Sequence, residues 1–553
     1  MVAVAHTREF DRVAALPRRA LSIEDARAWA TALTPVFALA PDVALRPWQA
    51  QALADAVACG GAWLALPVGQ GKTLITWLLP TALQARRALL IVPAALQGKT
   101  QADFAAYAGR WRAPSAPVRI ETREKLATVQ GAALLEEYAP DLIVIDESDD
   151  LANASSAAAR RIDRYVRAHA VRVVAMTGTP ARKSLMGYWH LLAWCLGDAA
   201  PVPLVHDEAL MWALALDEQR GPHADPGPLG TTQRAARAWF RRRLIETPGV
   251  VVVDEDSCDA PLTVRVRLPR EDPTLDAAFE RFAVEQENPG GIPVSDPLSR
   301  WLLDAQLGLG LYTRWAPPPP EAWRNARRAV ARFVRERIDA STHSARPLDT
   351  EAQVLRRYAG TPVVEDWLTA KPTFDGTTEA VWISRSTLDA CHDWLRELAG
   401  APGIVWCGSV DFGRALAREA GLSYYGPRGQ RDDGGALHDA PHGRSFVASW
   451  NANKKGHNLQ AWPRALVVMP PQSAKWLEQI FGRSHRAGQR EHVTIDVLAT
   501  SGGTLDAFDA AIGEASAVRQ TVSLTQKLLR ADIVRATPRV NARNAFRWAR
   551  RSS

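Results

Sequence analysis

The chain lacks the features of a membrane-anchored or secreted protein. The apolar runs at 88–96 and 249–253 of its 553 residues fall far short of the roughly 18 residues that a membrane span needs. Charged residues, beginning with Arg8 and Glu9, precede any long apolar stretch, which argues against a signal peptide. The five cysteines form no Cys-X-X-Cys pair, so the sequence favours a reducing cytoplasm over a disulfide scaffold or a zinc module.

Lysine is also scarce, whereas tryptophan is unusually common. Only 9 of the 67 basic residues are lysine, and tryptophan occurs 20 times against 13 phenylalanines and 8 tyrosines. Aromatic side chains at a surface are typical stacking platforms for nucleic-acid bases. Most of these tryptophans, however, sit in apolar runs, as do Trp63, Trp77, Trp382 and Trp406, and this favours packing in the core.

The net charge of +7 is small for this length and comes from one end of the chain. Residues 515–553 contain nine basic side chains and one acid, Asp532, so they carry +8 and leave residues 1–514 at −1. The nine are Arg519, Lys527, Arg530, Arg535, Arg539, Arg543, Arg547, Arg550 and Arg551. We expect a basic arm that grips nucleic-acid phosphates, with an ordinary solvated end as the alternative.

Short apolar runs alternate with helical stretches in two parts of the chain, a pattern typical of βαβ units and a parallel sheet. The predicted strands are 63–66, 88–92, 142–145 and 171–176 in the first part, and 380–383, 404–406, 445–449 and 465–469 in the second. The region between them has breaker-rich loops instead. Its predicted elements are a strand pair at 250–253 and 262–268 and helices near 298–313 and 321–340.

A chain of this length is expected to fold into several domains. The patterns predict an α/β protein with two parallel-sheet lobes, a mostly helical insertion between them and a basic C-terminal extension. The predicted segments are a lead-in at 1–40, a first lobe at 41–200, the insertion at 201–370, a second lobe at 371–510 and the extension at 511–553.

The segment PVGQGKT follows the first predicted strand and precedes a helix. Gly69 and Gly71 let backbone amides close round phosphate oxygens, and the start of the helix adds partial positive charge. Lys72 would reach the outer phosphates of a nucleotide, and the Thr73 hydroxyl would bind Mg²⁺. The strict pattern has glycine where this chain has Leu66, so an ordinary strand-to-helix turn is the alternative.

An acidic segment, DESD, directly follows the strand predicted at 142–145. ATP hydrolysis needs carboxylates beside the phosphates, and such a strand would deliver two of them at its carboxyl end. Asp146 would hold Mg²⁺, and Glu147 would orient and deprotonate the attacking water. A solvated acidic turn is the alternative, because Asp150 continues the acidic run.

Arg483 and Arg486 lie three residues apart, a spacing that puts both side chains on one side of a helix. Phosphoryl transfer gains from positive charge on the transferred phosphate, and arginines from a second lobe supply it only when the lobes meet. A solvated basic helix face is the alternative for these two residues.

Six segments follow one another in the order LRPWQ, PVGQGKT, DESD, TGTP, GHNLQ and QIFGRSHRAGQ. In this order they resemble the motifs of superfamily-two helicases, and the forms LRPWQ, MTGTP and GRSHRAGQ resemble the Snf-type, chromatin-remodeller-like branch. Two further segments, IETPGV and GLYTRWAPPP, are similar to those of helicases of this branch carried by bacteriophages and prophages. The resemblance covers about residues 45–500 and implies two RecA-like lobes that share one ATP site.

The resemblance also implies roles for individual residues round ATP and Mg²⁺. Those implied to bind nucleotide and metal are Gln49 near the adenine, Gly69, Gly71 and Lys72 at the phosphates, and Thr73 and Asp146 at Mg²⁺. The implied catalytic residues are Lys72, Asp146, Glu147, Gln479 at the lobe interface, and the arginine fingers Arg483 and Arg486.

A second group of implied residues would contact nucleic acid or couple it to hydrolysis. They are Pro93 and Ala94 on the nucleic-acid backbone, Thr122 in the next such segment, and Thr177, Thr179 and Asn458 in coupling. No finger, homeodomain or RNA-recognition pattern is present in the sequence. The expected contacts are therefore with the backbone of the nucleic acid rather than with its bases.

The resemblance thus predicts an ATP-dependent helicase or translocase that moves on DNA, with duplex DNA as the expected track. The alternatives are an RNA-dependent ATPase that remodels RNA and an ATP-gated clamp that holds DNA without translocating. No membrane partner is expected, and no protein partner is indicated. The expected location is the cytoplasm of a bacterium or of a phage-infected host.

Overall fold

The computed structural model describes residues 3–180, 184–217, 224–256, 258–285, 287–290, 297–341, 348, 350–453 and 456–536. Within these ranges the chain folds into two α/β lobes, each built on a parallel sheet. The fold class predicted from the alternating pattern is therefore confirmed. None of the helices in these ranges is both long enough and apolar enough to cross a bilayer.

In the described part of the chain, six parallel strands form the sheet of the first lobe. They are β1 (Ala62–Ala65), β2 (Ala88–Val92), β3 (Val118–Thr122), β4 (Leu142–Ile145), β5 (Arg172–Thr177) and β6 (Val250–Val252). Their order across the sheet is β3-β2-β4-β5-β1-β6. The carboxyl ends of β4, β5 and β1 therefore lie side by side, where ligands of open α/β sheets usually bind.

Apolar side chains cover both faces of this sheet, as continuous apolar strands predict. Trp63 and Ala65 of β1 pack on one face, Ala62 and Leu64 pack on the other, and all four are fully buried. The helices of this lobe are α1 (Arg8–Ala15), α2 (Ile23–Phe37), α3 (Pro47–Cys59), α4 (Lys72–Ala82), α5 (Gln97–Tyr107), α6 (Arg123–Ala127), α7 (Leu134–Tyr138), α8 (Ala157–Ala168), α9 (Trp189–Leu196), α10 (His206–Leu216) and α11 (Gln233–Ile245).

The chain passes to the second lobe between β6 and β7 (Leu262–Arg267). The sequence predicted a strand pair from these two segments, and that prediction is wrong: β6 pairs with β1, whereas β7 pairs with the strand at 493–498. Both strands are apolar on alternate or successive residues, and such patterns do not reveal which sheet a strand joins. The first lobe thus extends past residue 200, and the second begins before residue 371.

The insertion that follows β7 is mostly helical. Its elements are α12 (Pro273–Glu285), α13 (Pro297–Gly308), β8 (Leu311–Ala316), α14 (Glu321–Ser341), α15 (Glu351–Arg357), α16 (Pro362–Ala370) and β9 (Thr377–Trp382). β8 and β9 form an antiparallel ribbon, with Leu311 opposite Trp382 and Ala316 opposite Thr377. The strand predicted at 380–383 to open the second lobe therefore belongs to this ribbon, because its partner lies inside the insertion.

Seven parallel strands of the described residues form the sheet of the second lobe. Besides β7 they are β10 (Gly403–Cys407), β11 (Ser423–Tyr425), β12 (Phe446–Ser449), β13 (Arg464–Val468), β14 (Val493–Leu498) and β15 (Asp532–Arg535), in the order β11-β12-β10-β13-β14-β7-β15. The remaining helices are α17 (Ser386–Glu397), α18 (Val410–Ala420), α19 (Trp450–Asn453), α20 (Ala474–Ser484), α21 (Gly502–Val522) and α22 (Lys527–Arg530).

Helix α21 contributes to the cores of both lobes. Phe508 and Ala515 pack with the strands of the second lobe, while Val518 and Val522 pack in the first. Between the lobes, Arg237 of α11 donates from Nη1 to the side-chain oxygen of Gln520 at 3.4 Å. The lobes are therefore joined by a shared buried helix as well as by the chain between β6 and β7.

Residues 515–536 are folded onto the body of the protein, so the basic arm expected from the sequence does not include them. Their ion pairs are Lys527–Asp256 at 2.8 Å, Arg530–Asp254 at 2.8 Å and Arg535–Asp509 at 2.6 Å. The acids that neutralise Lys527 and Arg530 come from the segment between β6 and β7. A count of charges within residues 515–553 alone does not include them. The last five arginines of the extension, Arg539, Arg543, Arg547, Arg550 and Arg551, lie outside the described residues.

Three of the four tryptophans expected in the core are buried. Trp63 and Trp406 are almost completely inaccessible, and Trp77 is 8% exposed. Trp382 is 38% exposed, so the prediction is wrong for this residue. It ends β9 of the two-stranded ribbon, which has fewer neighbours to cover it than a strand inside a sheet.

Truncation distinguishes the folded part of the extension from its last residues. A chain that ends at Glu514 loses Val518, Val522 and Leu528, each worth about 1.5–3 kcal/mol when fully buried, and it also loses β15. We expect its melting temperature to fall well below that of the full-length protein. A chain that ends at Ala536 keeps every described element and should melt as the full-length protein does; equal melting of the two truncated chains would contradict this role.

Candidate functional site

Three segments that the sequence predicts as functional meet at the carboxyl edge of the first sheet. The loop 67–71 follows β1, Asp146 and Glu147 follow β4, and Thr177 ends β5 between them. The Leu66 amide donates to the Thr177 carbonyl at 2.9 Å, which extends the pairing of β1 with β5 to the edge of the loop. Parallel pairing thus brings together residues that are far apart in sequence.

The loop after β1 has a backbone that favours glycine. Gly69 and Gly71 have φ angles of 97° and 74°, and a Cβ at Gly71 would lie 2.3 Å from Gln49 Nε2. Gly71 is the N-cap of α4, and no side chain caps this helix, so its first amides are available to an anion. Lys72 Nζ donates to the Leu66 carbonyl at 3.1 Å, which holds the ammonium group beside the loop.

Gln49 supports the loop from α3. Its side-chain nitrogen donates to the carbonyls of Gln70 and Gly71 at 3.1 and 3.3 Å, and its side-chain oxygen accepts from the Arg46 amide at 2.9 Å. The residue is 5% exposed. In this conformation both ends of the amide hold backbone, and the adenine contact implied by the resemblance stays a prediction.

Asp146 and Glu147 leave β4 through an uncommon backbone turn. Glu147 has a φ of 51°, a left-handed conformation that few residues with side chains adopt, and its amide donates to Asp146 Oδ1 at 2.9 Å. Such a conformation persists only where the surrounding fold enforces it, and it is frequent at functional sites. This geometry therefore favours a functional acidic pair over an ordinary acidic turn.

Asp149 is the centre of a buried network that joins the lobes. Its carboxylate accepts from the Thr177 hydroxyl at 2.9 Å and from the Thr179 hydroxyl at 3.2 Å. Lys475 of α20, in the second lobe, forms an ion pair with the same carboxylate, and both side chains are at most 2% exposed. Lys475 Nζ also lies 2.9 Å from Asp150 Oδ1. The two threonines predicted to act in coupling thus contact a charge that both lobes share.

Helix α20 places three functional candidates on one face. Lys475, Gln479 and Arg483 recur every four residues, and all three are buried. The helix comes very close to the loop after β1 at Gly482, which lies between Gln479 and Arg483. A Cβ atom at Gly482 would lie only 3.1 Å from Val68 Cγ1. Glycine at this position lets the second lobe touch the loop directly.

Arg483 lies on α20, but the helix ends at Ser484, so Arg486 is not on the same helix as its spacing predicted. The two arginines nevertheless share one backbone acceptor. Their Nη1 atoms donate to the His457 carbonyl at 3.0 and 3.4 Å, and Arg483 Nε donates to the Gln479 carbonyl at 2.9 Å. Burial, with the charge of Arg486 as the next cause, lowers the pKa of Arg483 to about 10, and Glu147 opposes this shift. Glu147 of the first lobe therefore lies within electrostatic reach of Arg483.

Positive charge accumulates round the loop after β1. Burial lowers the pKa of Arg486, and the Arg46 guanidinium lowers it further. Arg46 donates from Nη1 to the Gly69 carbonyl at 2.7 Å. Mutual repulsion of these cations, beside the start of α4, is what a bound anion would relieve.

Gln479 has an unsatisfied amide in the same interface. The residue is 1% exposed, yet neither the nitrogen nor the oxygen of its side chain has a hydrogen-bond partner among the described residues. Burying such groups without partners costs roughly 1–3 kcal/mol each. A ligand between the lobes that bonds to this amide would recover part of that free energy.

His485, between the two arginines, is held by segments from outside α20. Its Nε2 donates to the Ala260 carbonyl at 2.7 Å, which leaves Nδ1 to accept from Lys527 Nζ at 3.1 Å. Lys527 also pairs with Asp256 at 2.8 Å. The C-terminal segment therefore helps to fix the turn that leads to Arg486, a role that its sequence did not indicate.

A cleft of about 1170 Å³ opens between the lobes. We call it the interlobe cleft; Pro93 and Ala94 line it from the first lobe and Asn458 from the second. The charged or titratable groups in its lining are Lys99, Arg123, Glu124, Asp150, His438 and His457. Thr122, in contrast, is the N-cap of α6, where its hydroxyl accepts from the Lys125 amide at 3.1 Å. Of the six residues predicted to contact nucleic acid or to couple it to hydrolysis, Pro93, Ala94 and Asn458 thus share one cavity.

The fold brings together most of the residues predicted for the ATP site, although their roles stay predictions. No protein-family model matches this chain, and no curated protein sequence matches it. Sequence reasoning missed Arg46, Asp149 and Lys475 as members of the site. The signal for Lys475 was its position one helical turn before Gln479, which continues the four-residue spacing of Gln479 and Arg483.

Removing Lys475 should strongly destabilise the protein, because Asp149 would keep a buried charge without its closest counter-ion. We expect Lys475→Met to lower the free energy of unfolding by about 3–5 kcal/mol, and addition of Asp149→Asn should recover much of this loss. Lys371→Met, at an exposed lysine, is the matched control. Urea denaturation followed by tryptophan fluorescence measures the effect, and equal midpoints for Lys475→Met and the control would contradict it.

Proposed function

We propose that the protein is an ATP-dependent DNA translocase or helicase, similar to the Snf-type branch of superfamily two. The observation that carries the proposal is the meeting of the lobes at the loop after β1, where Gly482 approaches Val68 and Arg483 lies within electrostatic reach of Glu147. An ATPase that takes its arginines from a second lobe needs this juxtaposition.

The residues at this interface fit ATP and Mg²⁺. The free amides at the start of α4 and the ammonium group of Lys72 suit a polyphosphate. Thr73 and Asp146 offer one hydroxyl and one carboxylate, which suits Mg²⁺ because this ion keeps water and phosphate ligands and takes few from protein. The unsatisfied amide of Gln479 also supports a ligand between the lobes.

In the proposed reaction Glu147 orients a water molecule and takes its proton. Arg483 and Arg486 stabilise negative charge on the transferred phosphate, and Mg²⁺ supplies further neutralisation when bound. Because both arginines belong to the second lobe, they act only while α20 lies against the first. Separation of the lobes would therefore stop hydrolysis.

His457 supports coupling of this reaction to nucleic acid. The His457 carbonyl accepts hydrogen bonds from both arginines, and the same residue lines the interlobe cleft. Burial lowers the pKa of the His457 side chain to about 4, with Arg483 as the next cause, so the ring is neutral at pH 7. A nucleic acid that moves residues 456–458 would also move the arginines.

We infer that the interlobe cleft receives the DNA backbone. It lies between the lobes, and Asp150 in its lining also contacts Lys475 of the buried network. Cyclic closure of two lobes with such a site would advance the protein along DNA. We further propose that this takes place in the cytoplasm of a bacterium or of a phage-infected cell.

Glu147→Gln and Lys72→Ala should each reduce nucleic-acid-stimulated ATP hydrolysis by roughly 10²–10⁴-fold, because one removes the base and the other a phosphate contact. Their melting temperatures should stay close to that of the parent protein. Glu137→Gln, at an exposed acid of α7, is the control and should hydrolyse ATP normally. Full activity in either site variant would contradict the proposed site.

The nucleic acid that stimulates hydrolysis decides between the proposed function and its alternatives. We expect duplex DNA to raise the steady-state ATPase rate more than single-stranded DNA or RNA does. A larger effect of RNA would identify an RNA-dependent ATPase instead. A triplex-displacement assay then tests movement, because a clamp that hydrolyses ATP without translocating should leave the third strand in place.

A further inference from the structure

Helix α14 of the insertion has an unusual excess of arginine. Six arginines occur in its 21 residues, and the span 324–335 contains five of them without a single acid. The helix lies at the far end of the ribbon formed by β8 and β9, beyond the pairing of Ala316 with Thr377. It is therefore separate in the fold from the interlobe cleft and the candidate ATP site.

Two of these arginines are used in packing. The Arg327 guanidinium lies 5.1 Å from the Trp367 ring centroid and 3.0 Å from Glu351 Oε1. Arg337 lies 4.8 Å from the ring of Phe333 and 5.2 Å from that of Tyr358. These contacts, of the cation–π kind, belong to the face by which α14 packs on α15 and α16.

The other four arginines have no such role. Arg324, Arg328, Arg332 and Arg335 are exposed, and within the described ranges none of them forms an ion pair. At 100° per residue their side chains fall in an arc of about 80°, along about 16 Å of helix. We call this surface the arginine face. Exposed arginines that meet no acid over three turns indicate a surface for an external polyanion.

The opposite side of α14 holds this face in place. Val330 and Val334 are buried in a small core with Val354 and Trp367 of the neighbouring helices. The arginine face is therefore displayed on a packed helix rather than on an isolated one. A row of arginines on a packed helix suits phosphates, which guanidinium groups bind through pairs of parallel hydrogen bonds.

We propose that the arginine face binds the phosphate backbone of DNA at a second contact, outside the interlobe cleft. The choice of DNA rests on the proposed function. The length of the face, about 16 Å, matches the axial length of roughly five base pairs. This contact would keep the insertion on the duplex while the lobes open and close.

The test compares DNA binding by two variants of the full chain with the same loss of charge. The first carries R324Q, R328Q, R332Q and R335Q, since glutamine keeps a helix propensity similar to that of arginine. The control carries R27Q, R234Q, R418Q and R490Q. These four arginines are scattered and exposed, and they form no ion pairs among the described residues. A third variant changes the arginine face to lysine and keeps the charge.

Binding is measured by fluorescence anisotropy with a labelled duplex of about 30 base pairs, over roughly 50–300 mM salt and without nucleotide. We expect the glutamine variant to show a salt dependence shallower by about 2–4 in the slope of log K against log salt. Its affinity at the low-salt end should fall at least ~10-fold, whereas the control should bind as the parent does. The lysine variant should keep the parent's salt slope, because it keeps the charge.

An unchanged slope in the glutamine variant would overturn the proposal and leave an acidic protein surface as the partner to seek. An equal loss in the control would also overturn it, because total charge rather than position would then be the cause. If the glutamine variant melts below the parent, the half variants R324Q/R328Q and R332Q/R335Q replace it, each with about half the slope change. Because no nucleotide is present, failure of the ATPase proposal leaves this measurement unaffected.

Discussion

Lys475 and Asp149 meet in the interface of the two lobes with almost no access to water, and each needs the other there. A buried charge without a partner is strongly destabilising, so α20 is held against the first lobe at this point. The same helix then brings Gly482 against Val68 and Arg483 within electrostatic reach of Glu147. One ion pair thus fixes the geometry on which the proposed ATP site depends, and Thr177, beside Asp149, connects it to β5.

Basic residues serve two different purposes in this chain, and neighbouring acids decide which. Lys527 and Arg530 meet Asp256 and Asp254 from the connection between the lobes, so they stabilise the fold. The arginine face of α14 meets no acid within the described residues and remains available to a polyanion. Part of the positive charge at the end of the chain is thus neutralised within the fold. The candidate surface for an external polyanion is instead the arginine face of the insertion.

Much of the fold was predictable because local sequence carries it. The strands at 88–92 and 142–145 match β2 and β4 in full, and the helix predicted at 321–340 is α14. Their apolar periodicity is set by burial of one or both faces, which sequence records directly. Pairing partners are different: β7 joins a strand more than 200 residues later, and β9 joins one inside the insertion. Such pairings depend on chain topology, which no local pattern encodes.

The sequence by itself determined the α/β class, the glycine loop before Lys72 and the acidic pair after β4. Each is a short-range feature, because residue type and spacing within a short segment determine its local backbone conformation. Only the tertiary structure decided that Lys475 neutralises Asp149, that His457 holds both arginines, and that the tail supports His485. These contacts join segments distant in sequence, and the need to pair every buried charge and polar group selects them only once the lobes have packed.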